Sequence, residues 1–507
     1  MKAGRFLIIV LFAASALLRV ADTFRPINIA SWRECDLGSI ARNFVREGMD
    51  PAYPRIDWRG DGPGYAEMEV PILPFLTAVS YSVLGVHDQF ARIWAFLFSL
   101  GAMFFFFKLA REYLDEFAAT VAFAFFVLNP LLVDISTAVQ PEGLMLFAYT
   151  AAAYFFVRWL RHESARDFWP AAAMTALSLL AKAPAGHIGL FFGILLLEKY
   201  GFGVIKQTRV WLFGAVTLLP AVLWYVHAKN LWITYGNSLG VSNEYHWVGI
   251  DFLTDATYMT GILRTEVFSV WAIFGLVVAA FGISRGYRET TARHLLLWMA
   301  SIFVFYIVAA RTASQDWAAY YHGFSVIPAS LLIGFGIKQL SNFGRNLADD
   351  LNIRSSAENL ARGSVMAAVL IALTAALAFE AKQVRKGFLD HRVEDNAYAW
   401  AHRIRPAMGK DGMILASGGH CVSKSGHQLA HNASYFFYWL DRKGWNICVE
   451  DQSVAKVRVF ADKGATYFVA EKASLDQRPG FENDLRSTYS LVDSNQDFML
   501  FDLTELR

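Results

Sequence analysis

Between residues 6 and 381 the sequence returns repeatedly to apolar runs of about 20 residues, the length a helix needs to cross a bilayer. They lie near 6–23, 90–110, 117–138, 142–160, 168–182, 184–199, 210–228, 267–284, 294–310, 323–341 and 363–381, about eleven in all. Lipid offers the backbone no hydrogen-bond partner, so runs like these must close their own bonds as helices. The chain of 507 residues is 55% hydrophobic and only 18% charged, with a mean hydropathy of +0.33, which excludes an ordinary soluble enzyme. The expected fold is a polytopic α-helical membrane protein. A net charge of +2, with the basic residues dispersed through loops, leaves no footprint for nucleic acid.

Orientation follows from the loops. The opening "MKAGRFLIIVLFAASALLRVA" has the basic start of a signal peptide, but its apolar run continues past Ala14 to Ala16 through Leu17 and Leu18. It reads as a retained first helix with a cytoplasmic N-terminus. One stretch, "VPILPFLTAVSYSVLGV" (70–86), is short and carries two prolines. If it does not span, Lys108 and Arg111, then Arg158, Arg161 and Arg166, then Lys199, Lys206 and Arg209 all fall on the side of the N-terminus. Arg285, Arg288 and Arg293 follow there, as do Lys338, Arg345, Arg354 and Arg362. That is the positive-inside pattern, and 70–86 is read as a helix in the outer interface. The loop 24–89, the turns 136–143, 181–187 and 311–322, and the loop 229–266 then open on the extracytoplasmic face. The C-terminus joins them.

Beyond about residue 385 the character changes. "GMILASG" (412–418), "GWNICVE" (444–450), "ATYFVAE" (465–471) and "DFMLFDL" (497–503) read as short strands. "HNASYFFYWLDRKG" and "QSVAKVRVFADKG" between them have helical spacing and end in glycine. The expected organisation is a membrane domain over 1–384 and a small soluble α/β domain over 385–507. Cys421 and Cys448 can pair there if the compartment is oxidising. His420, Cys421, His427 and His431 match no standard zinc spacing, so no metal is assigned, and a divalent cation stays open as a cofactor.

The candidate site residues sit at the outer boundary. "SWRECDLGSIARNF" (31–44) brings Glu34 and Asp36 two residues apart after the first run. Locally, Asp36 reads as an N-cap of an amphipathic helix whose Leu37, Ile40, Ala41, Phe44 and Val45 face lipid while Arg42 and Arg46 face water. A cap can also be a general base. Glu67 and Glu69 precede a helix that opens at proline, and Asp134, Gln140 and Glu142 flank an outer turn, where an acid is costly unless paired, solvated or used. Arg92, Lys182, Arg311 and His322 supply the opposite sign. Cations facing carboxylates at a membrane surface suit a phosphate-bearing substrate and a nucleophile to be activated.

"WRECDLGSIARNF", "EMEVPILPFLTAVSYSVLGVHDQFARIWAFLFSLGAMFFFFKLARE", "NPLLVDISTAVQPEGLMLF", "LLAKAPAGH" and "DWAAYYHGFSVIPASLLIGFG" occur in this order. As an ordered set over about residues 1–345, they resemble the bacterial membrane glycosyltransferases of family 39 type. That family belongs to the GT-C superfamily, with the protein O-mannosyltransferases and the lipid A aminoarabinose transferases. The resemblance implies an enzyme of a bacterial inner membrane that takes a sugar from a polyprenyl phosphate and moves it, with inversion, to a protein, lipid or glycan acceptor on the extracytoplasmic face. By position it makes Asp36 the catalytic acidic residue, and it matches Tyr320, Tyr321 and His322 to the family's aromatic-and-His stretch. Two departures stand out: the paired acidic residues appear as Glu34-Cys35-Asp36, and Glu69 replaces a histidine common before the proline helix. On this reading Asp36 is the base, and Glu34, Glu69 or Glu142 orients the acceptor or tunes Asp36. Arg92, Lys182, Arg311 and His322 meet the donor phosphate, and Tyr320 and Tyr321 meet its sugar or prenyl end. The competing reading, a lipid-linked sugar flippase or other transporter, commonly uses repeated halves with polar groups at the midplane. No repeat is visible here, and the charges crowd one face.

Overall fold

The computed structural model describes residues 2–240, 254–309, 311–350, 396–409, 412–422 and 434–506. The run at 363–381, His427 and His431, and the side chain of Arg311 lie outside the described residues. The chain divides into two compact units, Met1–Phe24 with Ala95–Leu223 and His246–Gly387, and Arg25–Trp94 with Trp224–Tyr245 and Phe388–Arg507. The C-terminal region thus shares a unit with the polar loop that follows the first run.

Seven of the described helices are long and apolar enough to cross a bilayer. Ala318–Asn346 and Glu142–His162 are 89% and 78% buried along their apolar windows, so they form the centre of the first unit. Helices with exposed Phe, Leu and Trp side chains, such as Phe202 and Trp211, offer those side chains outward, as lipid requires. Ala256–Val270 and Phe274–Gly286 make an eighth span if counted together across their 93° bend. The bend has a local cause: a π-helical turn at Glu266–Val270 is followed by Ala272 and Ile273, both at positive φ. Small residues close the tightest crossing, where Gly282 meets Gly336 of the Gly323–Asp350 helix.

Two expected spans come out differently. The 117–138 run breaks into Glu116–Val127 and Pro130–Ile135, because the Asn129 side chain caps the second helix and Pro130 cannot continue the first. The 168–182 run forms Ala165–Ala181, 17 residues long. The proline-rich 70–86 stretch forms Ile72–Leu84, whose 13 residues reach only about 20 Å and cannot cross an apolar layer of about 30 Å.

In the second unit the Trp32–Glu47 helix packs against Ile72–Leu84 and against the Ser434–Leu440 helix. The five strands Met413–Ser417 (β1), Gly444–Ile447 (β2), Ala465–Glu471 (β3), Tyr489–Ser494 (β4) and Phe498–Leu506 (β5) form one sheet in the order β2-β1-β3-β5-β4. β1 runs parallel to β2 and β3, while β5 is antiparallel to β3 and β4. The crossover helix Val454–Asp462 and the Phe481–Thr488 helix cover a core built on Leu415, Phe468, Met499 and Phe501. β4 is the strand the sequence does not announce. It is an edge, with only Tyr489 fully inside.

Candidate active site

The 31–47 segment is a helix, but it does not begin at Asp36. Ser31 is the N-cap, its hydroxyl accepting from the Glu34 N–H at 3.3 Å. Asp36 is therefore inside the helix and caps nothing. The lipid-facing reading is also corrected: Leu37, Ile40, Ala41 and Phe44 are buried within protein, Val45 is half-buried, and Arg42 is buried on an ion pair with Asp57 at 2.8 Å.

The Asp36 carboxylate is 1% exposed. Its Oδ1 accepts the Trp58 indole N–H at 2.9 Å, while Oδ2 has no hydrogen-bond partner. Burial pushes its carboxyl up to about 7. The Trp58 N–H and the Arg33 charge pull it down, and Asp57 adds to the rise. The neighbouring like charge is thus Asp57, not Glu34. Two positions apart on one helix, Glu34 and Asp36 face roughly opposite sides. Glu34 instead meets Arg92 at 2.9 Å, both groups buried, and Arg92 also donates to the Arg25 and Pro26 carbonyls at 3.0 and 3.2 Å. Glu69 pairs with Arg33, which also donates to the Leu239 carbonyl at 3.0 Å.

The first unit gathers a second set of predicted residues. Glu142 opens the Glu142–His162 helix and pairs through Oε1 with Lys182, while its Oε2 is unpartnered. Lys182 lies between the Ala165–Ala181 helix and the Ala183–His187 turn, with Tyr320 and Tyr321 at 4.3 and 4.7 Å from its ammonium to their ring centres. Four of the sequence candidates therefore form one cluster. His322 spends its nitrogens elsewhere: Nδ1 lies 2.8 Å from Glu266 Oε1 and Nε2 2.9 Å from the Ala313 carbonyl. Asp134 is exposed. In the tail, His420 contacts Glu450 and Gln477, and among the described residues no group of three His, Cys, Asp or Glu is placed to hold a metal ion.

Sequence reasoning missed Trp58, Arg33, Glu266 and Ser434. Glu266 left a trace, a single acid at the edge of an apolar run. Trp58 left none, since its partner lies 22 residues away across an irregular loop.

Residues 67–226 match the family model of dolichyl-phosphate-mannose-protein mannosyltransferases. No curated protein matches the sequence. Among solved structures, ArnT from Cupriavidus metallidurans superposes in its apo state with a TM-score of 0.66 at 16% identity over 99% of each chain. The same protein bound to undecaprenyl phosphate gives 0.66 at 15% identity over 98% of each chain. The oligosaccharyltransferase AglB from Archaeoglobus fulgidus, in complex with an inhibitory peptide and a dolichol-phosphate, gives 0.56 at 11% identity over 96% of this chain and 72% of that one. The order of motifs, the matched segment and the fold agree: this chain has the architecture of the GT-C-type membrane glycosyltransferases.

Proposed function

We propose that the protein transfers a sugar from a polyprenyl phosphate to an acceptor hydroxyl on the extracytoplasmic face, with Asp36 as general base. One observation carries the assignment: a fully buried carboxylate whose Oδ2 is unpartnered and whose acidity is matched to neutral pH. Asp36 Oδ2 takes the acceptor proton as the acceptor oxygen attacks the anomeric carbon. The bond from that carbon to the phosphate oxygen breaks, and polyprenyl phosphate leaves with the electron pair. A single displacement from the opposite face inverts the centre.

The leaving phosphate is assigned to Lys182, whose ammonium carries three donors and gives one to Glu142. Arg311 is assigned to the same phosphate. Tyr320 and Tyr321 take the sugar or prenyl end, and His322, tied to Glu266 and Ala313, holds the Asp316–His322 turn that presents them. Glu34 and Arg92 brace the 25–26 backbone, and Glu69 and Arg33 brace the start of the Trp32–Glu47 helix. The relative bound to undecaprenyl phosphate supports the class of carrier. The paired Cys421 and Cys448 support an oxidising, extracytoplasmic compartment for the C-terminal region.

The test is mass spectrometry of polyprenyl-linked sugars and envelope glycans in cells carrying Asp36→Asn. Loss of the base costs about 10²–10⁴ in rate, so one sugar-modified product should disappear while its lipid-linked donor accumulates. An unchanged product at normal protein level removes Asp36 from the chemistry.

A further inference from the structure

The motif "YFFYWLDRKGWNI" (435–447) is not used by the reaction as written. Its surroundings lead back to Asp36. Ser434 Oγ donates to the Trp32 carbonyl at 3.0 Å, one turn before Asp36 on the same helix. One turn later the Tyr438 ring fills the space over Gly38, where a Cβ would come within 2.7 Å of the ring. The Tyr438 hydroxyl donates to Asp88 Oδ1 at 2.5 Å, and Asp88 Oδ2 accepts the Ile27 N–H at 2.9 Å. Trp439 Nε1 donates to the Ile27 carbonyl at 2.7 Å. The Ser434–Leu440 helix is thus seated on the helix that carries Asp36.

A second route runs through Gly444. Its N–H donates to the Asp57 carbonyl at 3.1 Å, and its carbonyl accepts the Gly60 N–H at 2.6 Å. These two bonds flank Trp58, the residue that donates to Asp36. Neither glycine has room for a side chain: a Cβ on Gly444 would overlap the Ile414 carbonyl oxygen, and one on Gly60, at φ +62°, would enter the Trp445 indole.

We propose that segment 434–444 is a positioning element of the catalytic centre: the Ser434–Leu440 helix, seated on the helix that carries Asp36, and the Gly444 clamp on Trp58 fix the Asp36 carboxylate so that Oδ2 is left to the acceptor. The proposal rests on Asp36 being the base. A packing role alone would tie Ser434 and Gly444 to stability and leave the behaviour of Asp36 untouched.

The discriminating measurement needs no substrate. Dicyclohexylcarbodiimide attacks protonated carboxyls in apolar surroundings, so the pH dependence of its addition to Asp36 in the full-length protein, read by peptide mass spectrometry, reports when that carboxyl ionises. The indole N–H favours the charged form, so Trp58→Phe should move the midpoint upward by about one pH unit, and Gly444→Ala, which breaks the clamp that aims the indole, should move it the same way. Trp58→Phe keeps an aromatic ring in place and serves if the alanine variant does not fold. An unmoved midpoint in folded Gly444→Ala or Trp58→Phe protein overturns the proposal. Retained transfer by Asp36→Asn would instead overturn the general-base reading, and the two failures are read in different experiments.

Discussion

An aspartate held at about 7 weakens the fold wherever it is ionised, which links the chemistry of Asp36 to stability. Between the ordinary value of 3.8 and about 7 the folded chain keeps a proton that the unfolded chain has lost. The contribution is complete below pH 3.8 and is lost as pH rises through about 7. Asp36→Asn should therefore melt higher than wild type at pH 8, with the difference gone near pH 4; equal melting at pH 8 would show that Asp36 ionises without cost. Glu34 and Arg92 behave differently because each already has its counter-charge. Arg92→Met alone leaves a buried carboxylate uncompensated and should cost about 3–5 kcal/mol, whereas the double variant with Glu34→Gln should recover much of it. A double-mutant cycle on unfolding in detergent measures the coupling. A coupling near zero would free Arg92 for the donor phosphate, the role its position suggested.

At the scale of elements, what was legible in the sequence is what repeats locally. Among the described residues most apolar runs of bilayer length became helices, with 117–138 broken at Asn129, and the strands at 413–417, 444–447, 465–471 and 498–506 were visible as short apolar segments between turns. The start of the Trp32–Glu47 helix was legible too, in the Ser31-x-x-Glu34 spacing of an N-terminal cap, although the acid at Asp36 drew the boundary to itself. The contacts that define the environment of Asp36 were not legible, because they join distant segments: Ser434 meets Trp32 across 402 positions, and Trp58 is set by Gly444. No periodicity encodes such a pairing. The Phe274–Gly286 and Gly323–Asp350 crossing is another case, built on glycines that look unremarkable in an apolar run. A Cβ on Gly336 would strike the Val278 carbonyl oxygen, so Gly336→Ala should cost about 1–3 kcal/mol through forced separation of the two helices. Thermal unfolding in detergent checks it. An unchanged midpoint would mean that the crossing can relax at no cost.

For the whole molecule, the distribution of three cysteines offers a test of which way the chain faces. Cys421 and Cys448 are joined, with their Cα atoms 5.5 Å apart, and Cys35 is buried beside Asp36. Burial pushes the Cys35 thiol up, with Glu34 and Asp36 adding to the effect, so it stays protonated and unreactive. Intact cells treated with a membrane-impermeant maleimide should therefore leave the protein unlabelled. After mild reduction from outside, two thiols should react, both in the C-terminal region, and peptide mapping should find them at 421 and 448. The orientation proposed from the charge pattern of the short loops predicts this sidedness, and with it an active alkaline phosphatase fusion after residue 400 and an inactive one near Arg288. That orientation takes the Ile72–Leu84 helix, 13 residues long, as not crossing, which keeps the basic loops on the cytoplasmic side. If labelling needs permeabilised cells, the tail lies inside, the Ile72–Leu84 segment must be counted as a crossing, and transfer on the extracytoplasmic face falls with it.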